Sequence, residues 1–235
     1  AAIVEVLEVF KTKIELTAFE FFSQAALDKV IKRQGHSAPF ATQAPFYALI
    51  EFETRTQVTS VALALFEQCA AQGWVLDGVV SQSLAQTRAL WRLREDISET
   101  LWHWQPYKND ISVRVSKMSD FLAEVDQLVA ARYPDFEIVW YGHIGDGNLH
   151  LNILKPEDLP QTEFFERCGI VSLEIGELLA RYGGSISAEH GVGLLKKSLL
   201  PYSRSPVEIA LMRSIKKTFD PKSILNPGKV FDALV

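Results

Sequence analysis

No stretch of this chain keeps one hydrophobic period for long: segments that alternate every second residue give way to segments that repeat every three or four, along all 235 residues. Such a succession demands strands and helices in turn. Val4, Leu7 and Phe10 recur at helical spacing, Lys13–Leu16 alternates as a strand leading into a loop, and a helix is predicted around Gln24–Lys32. The turn-rich tract at 34–45 reads as a loop before a strand at 46–53 and a helix at 56–72, with Gly73 where a helix stop belongs. A strand at about 74–82, a helix from Leu84 to Trp102 and a half-buried strand in NDISVRVSKM come next, then a helix capped by Ser119–Asp120 and running to Arg132. The order ends with a strand from near Phe136, a long helix from Glu163 to Tyr182, a glycine-rich loop and a helix at Pro206–Phe219 opened by Ser205-Pro206. Periodicity alone allows either a parallel α/β sheet or an antiparallel α+β sandwich.

Charge and composition remove several functions. A net charge of -5 supplies no basic field for a phosphate backbone, which argues against a nucleic-acid partner. No apolar run approaches the roughly 20 residues of a membrane-spanning helix. Cys69 and Cys168 stand far apart without a CxxC partner, so they read as packed, reduced thiols, which favours a reducing compartment: the cytoplasm, or the mitochondrial matrix in a eukaryote. The opening AAIVEVLEVFKTK has no secretory-signal pattern and reads as an interior segment of a longer chain cut at a domain boundary.

Chemistry concentrates in Tyr141-Gly-His-Ile-Gly-Asp-Gly-Asn-Leu-His-Leu-Asn152. Asp146-Gly147 is a preferred two-residue hairpin turn, and with that turn Gly145 faces Asn148, His143 faces His150, and Tyr141 faces Asn152. Opposed Cβ atoms lie roughly 4.5–5.5 Å apart, within reach of a common ion. The two histidines alone fit an ordinary polar hairpin as well as a chelate. The loop Gly183-Gly-Ser-Ile-Ser-Ala-Glu-His-Gly-Val-Gly193 adds an acid and a histidine among four glycines, whose backbone freedom can aim neighbouring side chains into a site. Two histidines and a carboxylate suit zinc, manganese or cobalt with positions left open for substrate. Glu189 is then the natural third ligand; His190 could ligate instead, but on an extended loop it diverges from Glu189 and is available as a general base.

Three segments, YGHIGDGNLHLNI, SAEHGVGLLKK and FDPKSILNPGKVF, resemble in this order the C-terminal domain of FAD-linked oxidases of the vanillyl-alcohol oxidase type. PFYALIEFE and LWRLREDISE are similar to family segments too, so the resemblance covers essentially the whole chain, 1–235. The likeness is strongest to D-2-hydroxyglutarate, D-lactate and glycolate dehydrogenases. It implies an α+β fold, a mainly antiparallel sheet covered by helices in two ferredoxin-like halves, with an FAD-binding domain of the same full-length protein preceding it. It also implies that His143, His150 and Glu189 bind a divalent metal, zinc or manganese, and that His190 is the catalytic base. Arg94, Ser98, Lys108 and Asn152 match substrate-binding positions, Ser98 standing where the 2-hydroxyglutarate enzymes use threonine. Asn226 matches the return toward the flavin. Between Arg94 and Lys108 this chain is one residue shorter than those relatives, which bears on the pocket's shape.

The expected function is thus the substrate- and metal-binding half of a flavin-dependent dehydrogenase that oxidises a small D-2-hydroxy acid to the 2-oxo acid and passes electrons to a separate acceptor, with a homodimer among the expected assemblies. A mononuclear metallohydrolase and a non-catalytic metal- or anion-binding module are the competing expectations. The purified 235-residue chain should be colourless and inactive; a flavin absorbance band, or dye reduction by this chain alone, would contradict the expected division of labour.

Overall fold

The computed structural model describes residues 2–232, which form two compact units. Of the described residues, the first unit comprises 2–108 and 135–159 and the second 109–134 and 160–232. Among the described residues no helix is long and apolar enough to cross a membrane.

In the first unit, helix α1 (Ala2–Lys11) leads to strand β1 (Leu16–Ser23), helix α2 (Gln24–Gln34), strand β2 (Phe46–Phe52) and helices α3 (Thr56–Ala71) and α4 (Leu84–Leu101). Strand β3 (Tyr107–Ser112) then carries the chain out of the unit, which it re-enters for β4 (Ile138–Gly142) and β5 (Asn148–Ile153). The sheet order is β2-β1-β4-β5-β3, with β1 antiparallel to β2 and β4, and β4 antiparallel to β5. The architecture is therefore α+β with antiparallel pairing, as the resemblance implied.

Local chemistry sets the helix boundaries. The Ser23 hydroxyl accepts the Ala26 N–H at the start of α2, and Gly35, at φ 70°, ends it. Ser83 caps α4 in the same way through the Gln86 N–H. One face of the sheet packs on α2 and α4: Phe22, Tyr47, Val139 and Tyr141 meet Leu27, Val30, Leu93, Ile97 and Leu101. Each fully buried aliphatic here contributes about 1.5–3 kcal/mol. This apolar block fixes where α4 stands, and so where Arg94 points.

The hairpin differs from its sequence reading. Tyr141 faces His150 and Val139 faces Asn152, in place of the His143–His150 and Tyr141–Asn152 pairs. Asp146-Gly147 is not a two-residue turn; a 3-10 turn at Ile144–Asp146 forms the connection, with the Asn148 N–H donating to the His143 carbonyl at 3.1 Å. The cause is Ile144, which the wider connection buries completely. Since the register moves by two residues, the ladder residues Val139, Tyr141, His150 and Asn152 keep their predicted face, while His143 lies outside the ladder, in the connection.

Other predicted elements change as well. Residues 74–82 form no strand: Asp77 folds back on the Gly78 N–H, and Leu76, Val79 and Val80 stay exposed. The strand predicted in NDISVRVSKM occupies Tyr107–Ser112 and gives way to a 3-10 turn at Val115–Lys117. Helix α5 (Met118–Arg132) begins at the buried Met118, so Ser119 lies inside the first turn and caps nothing. Strand β1 starts at Leu16 and passes into α2 with no loop.

The second unit holds the remainder of β3, α5, the long helix α6 (Gln161–Tyr182) and α7 (Pro206–Phe219). Ser205 and Glu208 form a reciprocal capping box at the start of α7. The glycine-rich loop between α6 and α7 is tied back by a bridge between Ser185 and Ser112. Buried Cys168 has its thiol pushed up to about 11 by burial, so this cysteine is inert packing.

Gly142 precedes His143 at the start of the connection that leads to β5 and His150. A β-carbon there would stand 2.5 Å from the Asn148 carbonyl oxygen, at a φ of 159°. Gly142→Ala should cost about 1–3 kcal/mol, the usual range for overpacking, read as a lower urea midpoint at unchanged slope.

Candidate active site

Strand β5 alternates cleanly, and both of its faces are buried. Leu149, Leu151 and Ile153 form an apolar face; Asn148, His150 and Asn152 form a polar one. A buried polar row is costly unless its atoms find partners. Asn152, fully buried, donates to the carbonyls of His150 (3.2 Å) and Val139 (3.4 Å). Its Oδ1, like that of Asn148, accepts no hydrogen bond among the described residues. These oxygens are acceptors suited to a ligand hydroxyl.

Around this row the first unit gathers most of the predicted substrate and metal residues. The His150 ring lies 4.8 Å from Tyr141 and 5.7 Å from His143, centre to centre. The Arg94 guanidinium stands 4.8 Å over the Tyr141 ring, and its Nη2 is 2.9 Å from Oε2 of Glu20. That pair is close but not linear, and Arg94 Nε and Nη2 form no hydrogen bond among the described residues. The Nε–Nη2 edge of a guanidinium is one that grips a carboxylate bidentately. The other oxygen of Glu20 lies 2.8 Å from His143 Nδ1. Ser98 and Lys108 form a second small group, Lys108 donating to the Ser98 hydroxyl at 3.4 Å over the Trp102 ring. Burial holds the Lys108 ammonium below its ordinary pKa.

In the second unit, Glu189 and His190 project from the glycine-rich loop, both exposed. The loop is held by Asp110, whose side chain is only 2 % exposed. Its Oδ2 accepts the amide N–H of His190 (3.0 Å) and of Glu189 (3.2 Å) and the Ser187 hydroxyl (3.3 Å), and it lies 3.5 Å from Lys196 Nζ. Burial works to raise the Asp110 carboxyl, but the His190 amide, the Lys196 charge and the Glu189 amide prevail and hold it below the usual carboxylate range. Lys196 is lowered by burial, with Asp110 opposing that shift. His190 Nδ1 is 3.5 Å from Asp110, and one ligating atom from each of Asp110, Glu189 and His190 lies within 4.8 Å of the others. Asn226 sits exposed at φ 45° in the terminal turn, where Lys229 Nζ donates to its Oδ1 at 2.9 Å. The neighbouring Val230 N–H donates to the Gly193 carbonyl, tying this turn to the loop that bears His190.

Glu20, Asp110 and Lys196 were absent from the sequence-predicted set. A signal existed for the first two: each is a lone acid in its strand with buried neighbours on both sides, where an ionised group demands a partner.

The family model for FAD linked oxidases, C-terminal domain, matches residues 1–230. The chain is 58 % identical over 233 residues to the D-2-hydroxyglutarate dehydrogenase of Stutzerimonas stutzeri (strain A1501), covering 99 % of this chain and 50 % of that protein. It is 36 % identical over 217 residues to the mitochondrial D-2-hydroxyglutarate dehydrogenase of Danio rerio, covering 91 % and 39 %. The chain thus spans about half the length, or less, of these relatives. Among solved structures, substrate-bound p-cresol methylhydroxylase matches with a TM-score of 0.55 at 15 % identity, covering 98 % of this chain and 50 % of that one. The 4-ethylphenol oxidase of Gulosibacter chungangensis matches with a TM-score of 0.58 at 11 % identity, covering 97 % and 51 %. Both share the fold.

The Asp110 bonds lead to a direct check. A hydrogen bond to a charged group contributes about 1.5–3 kcal/mol. In Asp110→Ala the amides of Glu189 and His190 should exchange with solvent about 10- to 100-fold faster, as hydrogen-exchange mass spectrometry of the loop peptide would show.

Proposed function

Because this chain belongs to the family of FAD-linked oxidase C-terminal domains, we propose that it is the substrate-binding half of a flavin-dependent dehydrogenase acting on a D-2-hydroxy acid, with D-2-hydroxyglutarate as the substrate its relatives' names favour. The observation that carries the reading is the buried Arg94, ion-paired to Glu20 through Nη2 and stacked over Tyr141, its Nε making no hydrogen bond among the described residues, beside a row of buried polar groups on β5. A dianionic substrate needs two cationic contacts. Arg94 supplies a bidentate one, and Lys108, steadied by Ser98, supplies a point charge. Asn152 offers its unpaired Oδ1 to a substrate hydroxyl.

The donor set fits a borderline divalent ion, zinc or manganese. His143 and His150 of the first unit present adjacent rings, and Glu189 is the exposed carboxylate that the second unit contributes in this proposal. Such an ion, when bound, lowers the pKa of a coordinated hydroxyl. His190 then takes the hydroxyl proton at a ring nitrogen, while Asp110 keeps its loop in place through two backbone bonds. FAD, held by a partner domain of the same protein with Asn226 as a contact from this chain, supplies the acceptor for the hydride leaving the adjacent carbon. Electrons taken up by a bound flavin would leave to a separate acceptor. The cytoplasm or mitochondrial matrix suits this chemistry, in keeping with buried free cysteines and with the word mitochondrial in the Danio rerio relative's name.

Single-turnover stopped flow on the protein joined to its flavin domain tests the roles. His190→Ala should slow flavin reduction by about 10²–10⁴-fold with little change in substrate affinity, whereas Arg94→Ala should weaken substrate binding as well. Flavin reduction at the parental rate in His190→Ala would remove His190 as the base. Turnover of the parent without any flavin would favour a metallohydrolase instead.

A further inference from the structure

We infer that Glu20 is a positioning residue for the site proposed above, one buried carboxylate that sets both the tautomer of His143 and the pose of Arg94; the inference rests on that reading of the site. Glu20 lies in β1 among Phe19, Phe21 and Phe22 and is only 5 % exposed. An ionised carboxylate in such a setting is costly unless its charge is answered. Arg94 alone would answer it. The carboxylate is nevertheless divided, Oε2 lying 2.9 Å from Arg94 Nη2 and Oε1 lying 2.8 Å from His143 Nδ1.

Each contact has a consequence. A carboxylate accepts and does not donate, so the bond to His143 requires the proton on Nδ1 and leaves the lone pair on Nε2, the form in which a neutral imidazole ligates a metal. Carboxylate partners of this kind orient ligating histidines and raise their basicity. On the other side, charge attraction holds the guanidinium against Tyr141 while the off-line geometry leaves the Nε–Nη2 edge without a hydrogen bond. The same side chain therefore prepares the metal ligand and the carboxylate clamp together.

The experiment uses the full-length flavoprotein stripped of divalent metal, with Mn²⁺ as the probe. The dissociation constant is read from the electron paramagnetic resonance signal of free Mn²⁺, alongside KM and kcat for D-2-hydroxyglutarate after reloading. Glu20→Ala should raise the Mn²⁺ dissociation constant about 10- to 100-fold and raise KM more than it lowers kcat. Glu20→Gln, whose amide oxygen still accepts from Nδ1–H, should lie between Glu20→Ala and the parent, and it carries the test alone if the alanine variant does not fold. A merely structural role would lower the melting temperature and leave Mn²⁺ binding by the folded protein at the parental value. Parental Mn²⁺ affinity in both Glu20 variants, with binding lost in His143→Ala, overturns the inference and leaves the site reading intact. A parent that takes up no Mn²⁺ overturns the metal reading itself, and this inference with it.

Discussion

A carboxylate removed from water must be answered by charge or by several hydrogen bonds, and each unit of this protein is organised around one such group. In the first, Glu20 is bonded to His143 and paired with Arg94; in the second, Asp110 collects the amides of the loop that bears Glu189 and His190. Both acids sit on strands, where the backbone is fixed by ladder or bridge contacts, and both hold groups that come from less regular segments or from a helix. The chemistry-bearing side chains are thus positioned from rigid elements. The apolar block of α2, α4 and the sheet carries Arg94 to Glu20, so packing and electrostatics specify the same arrangement.

Much of the fold was legible because hydrophobic period and cap residues agree in the strong elements. The helices α3, α4, α6 and α7 and the strands β2 and β4 stand close to their predicted bounds. The Ser205-Pro206 start of α7 and Gly73 just past the end of α3 are local signals that tertiary packing did not override. Failures came where local and tertiary preferences diverged. The segment at 74–82 has strand composition, yet the Asp77 side chain takes up the Gly78 N–H in place of a ladder partner and the apolar Leu76, Val79 and Val80 remain exposed. At the hairpin, Asp146-Gly147 satisfied the chemistry of a two-residue turn, but burial of Ile144 favoured a wider connection. His150 stays on its predicted face because the shift is even, whereas His143 falls in the connection.

The site was legible in a different way. Spacing brought out His143 and His150, and the glycine loop brought out Glu189 and His190, while Arg94, Ser98, Lys108 and Asn152 took their roles from family resemblance alone. Features consistent with the proposed roles are a buried guanidinium ion-paired to Glu20, an ammonium lowered by burial and a fully buried amide oxygen that accepts no hydrogen bond among the described residues. Glu20 and Asp110 each stand as a lone acid in a strand, a signal that an ionised group there needs a partner, but which residues answer them is set by contacts across long sequence separations. No period or motif encodes that.

The central claim is that this chain's histidines and cations serve metal-assisted oxidation of a 2-hydroxy acid by a flavin bound elsewhere in the protein. The most direct measurement is anaerobic flavin bleaching by D-2-hydroxyglutarate in the full-length protein, before chelation, after removal of divalent metal, and after its return. The account predicts bleaching with formation of the 2-oxo acid, loss of that reaction in the metal-free protein, and recovery with zinc or manganese. Bleaching at the original rate in the metal-free protein, or none under any of the three conditions, would contradict it.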